Sequence, residues 1–179
     1  IYTGEDTLSL HDALPILRTF DVAQAVPALW ESSELDQHFT QYWTDDEIAD
    51  FLVLGDEEAA PTQPWPYCVF ESMPSPAMHR SSATRSGRNR QEQNEDTIRF
   101  HVFAKDTTAK SGKLLCSELV AEILKVFGGD TEDIHQNIPL ANGFVINQEH
   151  KQTILRKEDE EIWKATVIYT VTYEISLKD

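Results

Sequence analysis

Residues 95–127 read EDTIRFHVFAKDTTAKSGKLLCSELVAEILKVF. The first part alternates Ile98, Phe100 and Val102 with Arg99, His101 and Phe103, and a period of two predicts a strand through Ala104. Further on, Gly112, Leu115, Cys116, Leu119, Val120, Ile123 and Phe127 are spaced i, i+3, i+4, i+7, i+8, i+11, i+15, a single apolar face at 3.6 residues per turn. A helix is therefore expected after the strand. Asp106 or Thr107 is placed to cap its first amides, and Gly128-Gly129 to close it. An amphipathic helix fed by a strand must lay its stripe on a sheet that contains that strand.

Outward from this unit, the last segment has the most regular pattern. Trp163, Ala165, Val167, Tyr169, Val171, Tyr173, Ile175 and Leu177 hold the odd positions. Lys164, Thr166, Thr170, Thr172, Glu174, Ser176 and Lys178 hold the even ones, with Ile168 breaking the rule. This predicts a long strand with one face on a core and the other on water or a partner. Gly143 to His150 begins another strand, with Thr153-Ile154-Leu155 as its continuation, and Lys157 to Glu161 forms a charged turn. Tyr67 to Met73 reads as a strand stopped by Pro74 and Pro76. The order is β-β-α-β-β, an α+β domain with an antiparallel sheet and one long helix packed on it.

Residues 77–94 hold Arg80, Arg85, Arg88 and Arg90 and almost nothing apolar. They are expected to be a long, mobile hairpin tip between two strands. Gly55 to Pro66 is an extended linker with Pro61, Pro64 and Pro66, since each proline pushes its predecessor out of the α region; Trp65 pins it to the core edge. Residues 45–54 fit either a short helix capped by Asp45 or Asp46 or a buried strand at Phe51–Leu54. Residues 17–31 read as a helix with Leu17, Phe20, Ala23 and Gln24 on one face, kinked or split at Pro27. Within residues 1–16, TLSLHDALPI resembles the translation of a sequencing adapter, so that segment is expected to be wholly or partly non-native and is set aside. The resulting division is 1–16, an acidic helical extension over 17–60, and the α+β domain over 61–179.

The chain has 179 residues, 40% of them apolar, enough for one domain with a real core. Its 31 acidic and 15 basic residues give a net charge of −16, which argues against general nucleic-acid binding. Cys68 and Cys116 are the only cysteines. Both fall on apolar stripes and read as small buried hydrophobes, with no disulfide framework. No apolar run approaches the ~20 residues of a membrane span, and no signal peptide is expected.

The chain carries no phosphate-binding glycine loop, GxSxG elbow, CxxC or HExxH. Cys116 as a nucleophile would need an electropositive, accessible setting, which mid-stripe placement opposes. His101 and His150 on neighbouring strands, joined by Glu149 and Glu174, are a conceivable metal group, but nothing in the spacing makes them converge. The arginines of the tip suit phosphate or carboxylate clamping. No catalytic, cofactor-binding or metal residue is assigned, and the reading is non-enzymatic with no cofactor.

Pro64-Trp65-Pro66-Tyr67-Cys68-Val69-Phe70-Glu71 resembles the P-x-P-Y-x-V-F lead into the first strand of tailed-phage tail terminator and head–tail joining (minor tail) proteins. The Ile98–Ala104 strand, the helix after it, the Phe144 strand and the Trp163–Ile175 strand follow in the same order, so the resemblance covers about residues 62–177. It implies a ring-forming α+β protomer, usually hexameric, that caps the tail tube and docks it to the head connector. It also implies location in the virion, assembly in the bacterial cytoplasm, and DNA passing through without specific binding. Partners would be copies of the chain, the tail tube and the connector, with no membrane. The candidate contact residues are Arg80, Arg85, Arg88, Arg90, Thr166, Ile168, Thr170 and Thr172, the last four because a neutral, β-forming strand face suits pairing or burial. Alternatives are a tail tube or neck protein of related fold, a non-viral ligand-binding module, or a hydrolase with an unrecognised site.

Overall fold

The computed structural model describes residues 22–43, 52–54, 64–74, 80–82, 89–128, 138–141 and 143–178. Residues 1–16, Arg85 and Arg88 lie outside them, as do the possible caps Asp45 and Asp46. Helix α1 runs through residues 22–32 and is followed by α2 (Leu35–Thr40), β1 (Leu52–Leu54), β2 (Tyr67–Pro74), β3 (Arg80–Ser82), β4 (Asn89–Lys105), α3 (Gly112–Phe127), β5 (Gly143–Lys157) and β6 (Ile162–Lys178). The fold is α+β. The sheet order is β1-β2-β4-β6-β5, with β3 also pairing β4. Neighbours among β2, β4, β6 and β5 are antiparallel, whereas β1 lies parallel to β2.

Three expectations are corrected. Among the described residues the sheet has six strands, two of them, β1 and β3, beyond the expected order. Strand β4 starts at Asn89, and β3 pairs with it through Arg80↔Gln93 to Ser82↔Gln91, so both ends of the Arg-rich stretch are strand backbone. Its polar composition does not prevent this, because β6 runs alongside as far as Asn89↔Lys178 and satisfies the ladder whatever the side chains. Helix α1 is not split at Pro27 but continuous over residues 22–32, and its buried face is Val22, Ala25, Val26, Leu29 and Trp30, with the Gln24 expected to share that face exposed. The short apolar run at residues 51–54, open between helix and strand, is a strand over Leu52–Leu54.

A single main core joins the helices to one sheet face. Phe100 sits at its centre: its ring centroid is 4.7 Å from Phe127, 5.6 Å from Phe70, 5.8 Å from Trp30 and 6.1 Å from Tyr169. The α3 stripe Leu115, Cys116, Leu119, Val120, Ile123 and Phe127 is buried there, against Ala165, Val167, Tyr169 and Val171 of β6. Val22, Ala25, Val26, Leu29, Trp30, Leu35 and Phe39 belong to the same cluster, so the described helices ahead of the sheet share its core.

The ends of α3 are fixed by specific bonds. The cap is Ser111, which accepts from Leu114 N at 3.3 Å, while Asp106 Oδ1 accepts from Gly112 N at 2.6 Å. Asp106 thus holds the approach to the helix and Ser111 caps it. A Cβ on Gly112 would lie 2.9 Å from Ala104 O and from the Trp163 ring, so only glycine lets the helix start this close to the sheet. At the other end Gly128 adopts φ 96° and donates to Leu124 O. Gln148 Nε2 donates to Phe127 O, and Tyr169 Oη donates to Gly128 O at 2.6 Å. These two bonds tie the last carbonyls of α3 to β5 and β6.

Candidate interaction face

In an antiparallel sheet, residues directly opposite share a face. With the described helices on one face, the registers place on the other the row Tyr67–Phe103–Lys164–Arg156 and four more beside it. Glu71–Arg99–Ile168–Gln152 is one, Val69–His101–Thr166–Ile154 the next, and then Met73–Thr97–Thr170–Glu149 and Glu95–Thr172–Asn147. Thr166, Ile168, Thr170 and Thr172 therefore come together as a line along β6, all half-buried. Arg80 and Arg90 are instead strand residues at the far end, in β3 and β4.

This helix-free face is not uniform. At the β2 end it carries a second apolar cluster of Tyr67, Val69 and Phe103 with Trp65 packed against it. The Tyr67 and Phe103 rings stack at 4.9 Å, and Trp65 tilts onto Tyr67 at 4.9 Å. Lys164 occupies an even, nominally outward position on β6 but is 3% exposed, with Nζ 5.1 Å over the Phe103 ring. Its methylene stem covers apolar surface while the ammonium finds the ring face.

Next to that cluster is a polar group. Arg99 Nη1 donates to Glu71 Oε2 at 3.2 Å. His101 places Nε2 3.5 Å from the same oxygen and Nδ1 3.0 Å from Thr166 Oγ1. A hydroxyl, an imidazole and a carboxylate in this sequence form the skeleton of a nucleophile relay. Here Thr166 lies mid-strand in β6, flanked by β4 through His101 and by β5 through Ile154. Its neighbouring backbone amides belong to those ladders and are not available to stabilise an oxyanion. The group fixes a buried histidine across three strands.

His101 and His150 do not meet. His101 pairs across to Thr166, while His150 on β5 pairs with Tyr169 on the core side and reaches Thr153 Oγ1 at 2.9 Å. Glu149 pairs with Lys151 at 2.7 Å. Among the described residues no group of three or more His, Cys, Asp or Glu is placed to hold a metal ion. Burial pushes the Cys116 thiol up to about 12, and Cys68 is raised well above its ordinary value for the same reason, so neither is a poised nucleophile. Among the described residues no helix is long and apolar enough to cross a membrane.

The periodicity of the sequence does not reveal a set of exposed apolar residues on β5. Phe144, Ile146 and Ile154 are 56%, 48% and 45% exposed. Two register shifts, at Val145/Asn147 and His150/Gln152, insert one extra residue each and break the alternation that would have marked them. No protein-family model matches the chain, and no curated protein matches it.

Proposed function

We propose that the chain is a structural virion protein that caps the phage tail tube and joins it to the head connector as an oligomeric ring, hexameric as in the family it resembles. The observation that supports this most is the helix-free face. In a chain of net charge −16, the outward line of β6 from Thr166 to Thr172 carries no charge, and exposed Ile154 stands beside it. These four neutral side chains can be buried against a neighbour without desolvating an ion of their own, the charges of the same rows, Glu71, Arg99, Glu149 and Glu95, standing on the flanking strands. The β-β-α-β-β arrangement of the long elements, set on the P-x-P-Y lead at Pro64–Tyr67, is the part of the chain that the family resemblance rests on.

The acidic balance fits the same role, because a ring of like-charged protomers repels phosphate and lets DNA slide through its lumen. In this reading the arginines at 80, 85, 88 and 90 reach acidic surface on a neighbour, where bidentate contacts fix the docking register. The protein then catalyses nothing and needs no cofactor. The test is to add the purified chain to polymerising tail-tube protein from the same virus. Capped tubes of limited length, with the chain at one end, are expected. Tubes that lengthen unchanged and carry none of the chain would overturn the proposal.

A further inference from the structure

We draw no further inference here: the strongest candidate, the edge of β5 away from β6 with exposed Phe144, Ile146 and Ile154 along the strand, carries nothing because, among the described residues, nothing in the structure shows what covers it.

Discussion

Asp96 is the residue whose burial has the clearest thermodynamic consequence. It is 2% exposed on the core side of β4, and Tyr173 Oη donates to its Oδ2 at 3.1 Å. Burial pushes its carboxyl up from 3.8 to about 6, against the opposing pull of the Tyr173 hydrogen bond. The folded state therefore holds this proton more tightly than the unfolded chain. Its contribution to stability is full below about pH 4 and is lost as pH rises through about 6, a swing on the order of 2–3 kcal/mol. Asp96→Asn keeps an acceptor for Tyr173 and removes the titration. Urea unfolding should find the variant more stable than wild type at pH 7.5, with the gap closing at pH 4. An equal difference at both pH values would contradict this assignment. A second prediction concerns Gly143, where a Cβ would lie 2.1 Å from Glu174 O. Gly143→Ala has to push the start of β5 off β6, and a loss of about 1–3 kcal/mol is expected in the same assay. Neither residue was legible as special in the sequence, because an acid among polar neighbours and a glycine opening a strand show no period that reveals what they pack against.

Among the elements, α3 and β6 follow their sequence periods closely: the α3 stripe and the odd residues of β6 from Ala165 to Ile175 are buried together. Strong amphipathic periodicity survives folding because the apolar face has only one place to go. Leu119 lies mid-stripe and is 2% exposed, so Leu119→Ala should cost roughly 2–5 kcal/mol in chemical unfolding, and under about half a kcal/mol would mean that the stripe does not face the sheet. The elements read less well were those set by their neighbours. Asn89 to Asn94 is strand because β6 is long enough to pair with it. Strand β5 hides its exposed apolar residues behind two bulges, and α1 leaves Gln24 exposed and buries Val22, Ala25, Val26, Leu29 and Trp30, while Leu17 and Phe20 of the expected face lie outside the described residues. Lys164 and His101 are buried on a face that the alternation assigns to solvent, because Phe103, Glu71 and Thr166 come to them from β2, β4 and β6 only in three dimensions. A tertiary contact of that kind leaves no local signal.

At the scale of the whole molecule, the chain puts its helices and core aromatics on one sheet face and leaves a neutral line on the other. The proposed ring rests on that asymmetry: a strongly acidic chain carries an uncharged, β-branched line on β6 between charged neighbours on the flanking strands, and the proposal buries that line against a second copy. Ile168 is at the middle of the line, half-buried and opposite Arg99 and Gln152. Ile168→Asp puts a charge into the proposed contact without touching the core, so the protomer should stay folded by circular dichroism while assembly fails. The most direct measurement is the native mass of the purified chain over a range of concentrations, with the same measurement on Ile168→Asp. The account predicts a closed ring of one defined mass for the wild type and a folded species too small to be that ring for the variant. A wild-type chain that remains monomeric at every concentration, or a ring that Ile168→Asp leaves intact, would contradict it.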